Sequence, residues 1–281
     1  MEVIRTIEAM QARSDQLRAA GKRIGFVPTM GALHGGHLSL FKQARQTTDA
    51  AVVSIFVNKL QFEPSEDFTT YPRQEEKDIK QCEMCGVDIV FIPNPNTFYA
   101  RDASIYVTEE RLSRELCGKS RPHFFRGVCT VVSKLFHIIQ PHVAVFGQKD
   151  AQQAAVIKRL VRDLHWRIDI VTGSTVREED GLAMSSRNAH LAPEQRIYAR
   201  AIYQALQKAR DMAEQGIRNV HRLAAEITFL LSQQRDLRLI YVAIVDPDTM
   251  EPMRNEINPG HTLIAVAVWC GEVRLIDNIL V

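Results

Sequence analysis

A chain of 281 residues that is 46% hydrophobic and 24% charged has the composition of a folded globular protein, and at that length two medium domains are expected. Thirty-five basic against 33 acidic residues leave a formal charge of +2, and no basic run is long enough to neutralise a phosphate backbone, so no nucleic-acid partner is expected. The longest apolar runs, such as residues 263–270, are too short to span a bilayer; with acidic Glu2 and Glu8 where a signal peptide would be apolar, no membrane partner is expected and the expected location is cytoplasmic.

Apolar, β-branched runs at 23–27, 51–57, 88–92, 142–146 and 167–171 predict strands. Helices are expected to begin near Gly36, Arg73, Gly127 and Asp150, the last showing Ala154, Ile157, Leu160, Val161 and Leu164 at helical spacing. This alternation predicts an α/β first domain, residues 1–175, with a Rossmann-like, doubly wound parallel sheet. Such sheets bind ligands beyond the carboxyl ends of their strands. From residue 176 the pattern changes to a long helix at 193–215, a second at 220–232, and extended segments at 239–245, 262–269 and 272–276. The last two are joined by a short link at Cys270 and Gly271, which fits a hairpin. Residues 176–281 are therefore expected to form a smaller α+β domain; carrying the Ser185 loop at its start, it is hypothesised to act as a lid.

Five cysteines in a chain of this size suggest reduced thiols. Cys82 and Cys85 form a CxxC pair, but a redox motif belongs at a helix N-terminus after a strand, and these two close a helical stretch. Cys117, Cys129 and Cys270 stand alone, so no second pair completes a zinc knuckle.

Residues 28–37 read Pro-Thr-Met-Gly-Ala-Leu-His-Gly-Gly-His, where the first strong strand ends and a helix begins. Gly31, Gly35 and Gly36 allow close backbone approach, and the free N–H groups and dipole of the helix favour a phosphate. His34 and His37, three residues apart, can present donors to one anion from one face. Two such histidines can equally be surface residues or half a metal site. A zinc-protease signature needs Glu after the first His and four-residue spacing, and neither is present.

His-x-Gly-His after a first strand resembles the signature of the nucleotidyltransferase superfamily that includes class I aminoacyl-tRNA synthetases. Met184, Ser185, Ser186, Arg187 and Asn188 resemble its downstream Lys-Met-Ser-Lys-Ser loop, with Arg187 and two hydroxyls in place of the lysines. Together with the blocks at 56–62, 121–127, 147–153, 180–188 and 274–278, in that order, the chain resembles the pantothenate synthetase family over nearly its whole length.

The resemblance implies a homodimer, its smaller C-terminal domain associated with dimerisation, that condenses ATP, pantoate and β-alanine with Mg2+. Pantoate's carboxylate attacks the α-phosphate, giving pantoyl-adenylate and pyrophosphate, and the amine of β-alanine then displaces AMP. The resemblance assigns catalytic contacts to His34, His37, Lys149, Ser185, Ser186 and Arg187, with an acid role for His37. Its ATP surface comprises Met30, Gly31, Ala32, Leu33, His34, Gly35, Gly36 and His37, then Gly147, Gln148, Lys149 and Asp150, then Val176, Met184, Ser185, Ser186 and Arg187. Asp150 is expected to hold the nucleotide or the metal. Gln61 and Gln153 are expected to bind pantoate, whose hydroxyls need polar partners once water is excluded, and Gln61 also β-alanine. No residue is nominated as base for the amine.

Three positions depart from the family pattern. Gly35 replaces a Glu between the loop histidines, and Lys59 replaces a proline after Asn58, so the turn to Gln61 is expected to be less constrained. In the block Arg121, Pro122, His123, Phe124 and Phe125 the histidine has moved one place, and no role is carried onto it. Competing readings are a nucleotidyltransferase acting on a phosphate monoester and an ATP-binding module without chemistry. A tRNA ligase is disfavoured by the missing anticodon-binding extension and weakly basic composition.

Overall fold

The computed structural model describes residues 1–63 and 68–281. In chain order the elements are β1 (Glu2–Ile4), α1 (Ile7–Ala19), β2 (Ile24–Thr29), α2 (Gly35–Thr47), β3 (Ala50–Ile55), α3 (Glu75–Met84) and β4 (Ile89–Phe91). There follow α4 (Pro95–Phe98), α5 (Cys117–Ser120), α6 (Phe124–Ile139), β5 (Val143–Gly147), α7 (Ala151–Asp163) and β6 (Asp169–Gly173). The chain closes with α8 (Pro193–Ala199), α9 (Ala201–Glu214), α10 (Val220–Ser232), β7 (Leu237–Val245), β8 (Leu263–Cys270) and β9 (Val273–Leu280).

These elements form two compact units. The first comprises Met1–Glu110, Arg121–Gly147 and Val156–Gly173, and the second Arg111–Ser120, Gln148–Ala155 and Ser174–Val281. Two stretches that precede residue 176 thus pack with the C-terminal elements.

In the first unit six parallel strands lie in the order β1-β4-β3-β2-β5-β6. From β2 the chain winds outward through β3 to β4, then returns to β5 and β6 on the other side. The order therefore reverses between β2 and β5, so the carboxyl ends of these strands, Thr29 and Gly147, flank a topological switch point. Strand β3 is buried at every position, as expected of a parallel strand covered on both faces, and that is why it reads as an unbroken apolar run. The five strands read from sequence recur with ends shifted by a few residues. β1 and α1 are additions. Helix α1 has Thr6 as N-cap and buries only Met10 and Ser14, so it carries no apolar stripe for a periodicity reading to detect.

The second unit contains an antiparallel sheet, β7-β8-β9. Ile202, Leu206, Leu223 and Ile227 of α9 and α10 share a core with Ile264, Val266 and Val268 of β8. The helix expected over 193–215 is two, α8 and α9, interrupted at Arg200; neither Gly nor Pro marks the break, and nothing in the structure explains it. Cys270 and Val273 pair directly across the β8–β9 turn, a two-residue hairpin link. Among the described residues no helix is long and apolar enough to cross a membrane. Cys82 lies buried in α3, where burial pushes its thiol up to about 12, and Cys85 caps the C-terminus of that helix.

Candidate active site

The first predicted loop is built from the end of β2. The Thr29 hydroxyl donates to the Ser54 carbonyl at 2.8 Å and accepts the Gly31 N–H at 3.2 Å. The chain then turns through two left-handed residues, Gly31 at φ 81° and Ala32 at φ 50°. Glycine is required at the first: a Cβ there would lie 2.9 Å from Asp78 Oδ2 and 3.1 Å from Ile55 Cγ2. Ala32 adopts this conformation against the preference of an L-residue, and a carboxylate holds it there. Asp78, 2% exposed in the first turn of α3, accepts the Ala32 N–H on Oδ2 and the Leu33 N–H on Oδ1, both at 2.9 Å. Burial raises its pKa above the ordinary carboxylate range, opposed by those two amides. Leu33 is buried in the core beside Leu40 and Val53.

Held in this way, the loop delivers His34 as N-cap of α2 and His37 at its third position, with ring centroids 4.1 Å apart. The first turn of α2 contains no acidic residue. Two half-buried imidazoles therefore front a helix N-terminus whose partial charge is positive, an arrangement suited to an anion. Gly35 is the first residue of α2, so the carboxylate missing at that position leaves the turn free of negative charge.

Gln61 of the same unit lies on a short 3-10 turn, Lys59–Gln61, after β3. Its amide orientation is determined by its neighbour. Fully buried Asn58 accepts the Leu60 N–H at 3.3 Å on Oδ1, so its NH2 faces the Gly127 carbonyl at 3.1 Å and Gln61 Oε1 at 2.9 Å. Gln61 consequently keeps its own NH2 as the group to offer a ligand. Asn58 also closes the turn that Lys59 was expected to leave loose, since the Gln61 N–H donates to its carbonyl at 3.0 Å. His123 is exposed at the start of α6, whereas buried Arg121 donates to the Gln61 carbonyl at 2.9 Å and lies over the Phe124 ring.

The second unit carries the other predicted groups. Gln148, Lys149 and Asp150 form a 3-10 turn ahead of α7, with Lys149 Nζ 3.8 Å from Asp150 Oδ2. Gln153 is half-buried on α7, while its neighbour Gln152 is buried and binds the Cys117 N–H and the Leu112 and Glu115 carbonyls. Val176 and Met184 face each other, the Met184 N–H donating to the Val176 carbonyl at 3.0 Å. Ser185 accepts the Arg187 N–H at 3.3 Å as N-cap of the 3-10 turn Ser186–His190. Met184, Ser185, Ser186 and Arg187 are all half-buried. The sequence reading missed Asp78, Asn58 and Asn278; Asn278 binds the carbonyls of Gln148 and Lys149.

A family model described as Pantoate-beta-alanine ligase matches residues 2–280. The chain belongs to this family. The activity that goes with it is the joining of pantoate to β-alanine to form pantothenate. A curated pantothenate synthetase of Thermotoga petrophila is 50% identical over 278 residues, covering 99% of each chain. A crystal structure of the Thermus thermophilus enzyme superposes with a TM-score of 0.94 at 41% identity, covering 99% of each chain. The pantoate–β-alanine ligase of Francisella tularensis, solved as a complex with an ATP compound and β-alanine, gives 0.82 at 34% identity, covering 100% of this chain and 97% of its own.

For a pantoate–β-alanine ligase, the contact between α6 and the Gln61 turn has a measurable consequence. A Cβ on Gly127 would lie 2.0 Å from the Leu60 carbonyl oxygen and 2.8 Å from the Gln61 N–H nitrogen, both backbone atoms that cannot swing aside. Gly127→Ala is expected to destabilise the fold by about 1–3 kcal/mol, the usual range for overpacking, and, if Gln61 binds pantoate as the sequence resemblance implies, to raise the KM for pantoate by roughly tenfold by displacing it. Denaturant unfolding and steady-state kinetics check this. An unchanged pantoate KM in a destabilised variant would show that α6 does not position Gln61.

Proposed function

We propose that this ligase works through a pantoyl-adenylate formed from ATP. A pantoate carboxylate oxygen forms a bond to the α-phosphorus while the bond to the bridging oxygen breaks, and pyrophosphate leaves. The β-alanine nitrogen then bonds to the acyl carbon, the acyl–oxygen bond breaks, AMP leaves and the amine loses a proton. The first step needs no general base, because a carboxylate of pKa about 4 is already ionised at neutral pH. It needs positioning and cancellation of the charge that builds on the departing oxygens.

The observation that supports this most is the acid-free first turn of α2, fronted by imidazoles 4.1 Å apart on a loop anchored by Asp78. In the proposal His34, His37 and Lys149 contact the phosphates, and Ser185, Ser186 and Arg187 act on the leaving group. The remaining ATP contacts come from Met30, Gly31, Ala32, Leu33, Gly35, Gly36, Gly147, Gln148, Asp150, Val176 and Met184. Gln61 and Gln153 take pantoate, Gln61 offering the NH2 that Asn58 leaves open, and Gln61 also takes β-alanine. Asp150, with a side chain 46% exposed, would be the carboxylate to hold a magnesium ion, which when bound would supply neutralisation of phosphate charge. The proposal includes a homodimer in the cytoplasm and a lid role for the second unit.

The test is exchange of labelled pyrophosphate into ATP. Exchange that depends on pantoate is the expected result. Exchange that ignores pantoate but appears with a phosphate monoester would sink the adenylate reading.

A further inference from the structure

We propose that Asp277 and Asn278, adjacent on β9, are positioning residues that set Lys149 and the loop at 184–187, one from each face of the strand. Consecutive strand residues point to opposite faces. The two side chains, 3% and 5% exposed, therefore reach different partners.

Asn278 directs all its polar groups at one short turn. Its Nδ2 donates to the Gln148 carbonyl at 2.9 Å and to the Lys149 carbonyl at 3.0 Å, and its Oδ1 accepts from Gln148 Nε2 at 3.1 Å. Both N–H positions of the amide thus meet neighbouring carbonyls, a pair of donors that a carboxylate of the same shape does not offer. The backbone of Lys149 is fixed from outside its own element, so the base of its side chain has one location.

Asp277 serves the other loop. It accepts a two-pronged contact from Arg177, NH1 to Oδ2 at 2.6 Å and NH2 to Oδ1 at 3.0 Å, and takes the Asn278 N–H on Oδ1 at 2.7 Å. Arg177 also donates to the Gly181 carbonyl at 3.1 Å and lies 3.7 Å over the Tyr203 ring. It is bridged antiparallel to Ala183, the residue before Met184. Arg177 therefore pins both arms of the turn that leads into Met184, Ser185, Ser186 and Arg187. Bidentate geometry gives orientation as well as attraction, and a single strand segment sets two groups of phosphate-contact residues.

This inference rests on Lys149 and Arg187 acting on the phosphates as proposed above, and a double-mutant cycle separates the two ideas. Asn278→Asp keeps the shape and removes both donors. It is expected to lower the rate of pantoate-dependent pyrophosphate exchange by about tenfold, a modest displacement of an oriented group, with the KM for pantoate within about twofold. In a Lys149→Ala background the same substitution is expected to change nothing further, and Asp277→Asn is expected to lose its effect in an Arg187→Ala background. Equal losses in the wild-type and Lys149→Ala backgrounds overturn the inference, because a merely structural role is indifferent to Lys149. Asn278→Ala carries the same cycle if the aspartate variant does not fold. Hydrogen exchange in the unliganded protein needs no activity at all: Asn278→Asp is expected to lose protection at 148–150 and to keep it at 184–187. Unchanged protection at 148–150 overturns the inference even where wild-type exchange assays have already refuted the adenylate.

Discussion

Lys149→Ala is expected to lower pantoate-dependent pyrophosphate exchange by at least about a hundredfold, the usual loss when one preorganised transition-state donor is removed. Negative charge moves onto the bridging oxygen and pyrophosphate as the α-phosphorus bond breaks, and an ammonium is a compact charge suited to meet it. The Lys149 side chain is 22% exposed and belongs to a turn whose carbonyls are held by Asn278, so its removal leaves no hole in the core. Unfolding is therefore expected to shift by no more than about 0.5 kcal/mol, as for other surface substitutions. Lys149→Arg, with a planar head on a longer stem, is expected to fall between. Amine transfer from pantoyl-adenylate supplied from outside is expected to lose far less, because no pyrophosphate departs in that step. Near-normal exchange in Lys149→Ala removes this residue from the mechanism.

The groups proposed to act on the phosphates could be picked out in the sequence because they lie in contiguous blocks at the ends of apolar strands. A run such as Ala50–Ile55, buried at every position, announces a parallel strand, and the loop with two histidines follows a neighbouring strand at the switch point. The short β1 and the weakly apolar α1 left no comparable trace. Strand β9 was read only to residue 276, because Asp277 and Asn278 look like the polar end of a strand. They are instead buried inside its span, running to Leu280. Strand order and register follow from tertiary packing and had no local signature.

What remained hidden shares one physical character. Asp78 and Asn278 each satisfy backbone groups of a loop distant in sequence: Asp78 reaches back 45 and 46 residues, and Asn278 reaches back 129 and 130, while Asn58 accepts the neighbouring Leu60 N–H and ties its own turn to the Gly127 carbonyl, 69 residues on. Buried backbone groups need partners, and a loop that must keep its donors for a ligand cannot supply them itself. The partner then comes from another element, as an ordinary Asp or Asn whose type says nothing of its task. Only the fold identifies it.

Asp78→Ala is expected to be the most damaging change to the loop between β2 and α2. It strips acceptors from the Ala32 and Leu33 amides, on residues 8% and 6% exposed, and each buried donor left unmet costs about 1–3 kcal/mol. The two left-handed residues then lose what holds them, and His34 and His37 move with the loop. A fall of about a hundredfold in kcat/KM for ATP is expected, alongside stability lower by roughly 2–4 kcal/mol. Asp78→Asn retains one acceptor and sets an NH2 against the other amide, so it is expected to lie between. Unaltered ATP kinetics in Asp78→Ala would rule out the anchor. Acid separates the two losses: because the folded pKa is raised, the folded protein binds this proton more tightly than the unfolded chain, whose aspartates titrate near about 3.9. As pH falls from the raised value toward that figure, this residue adds stability, yet the protonated carboxyl gives up an acceptor that the loop needs. Wild-type protein is expected to show an acid limb in kcat/KM for ATP that vanishes in Asp78→Asn, with no loss of stability from Asp78 across that range.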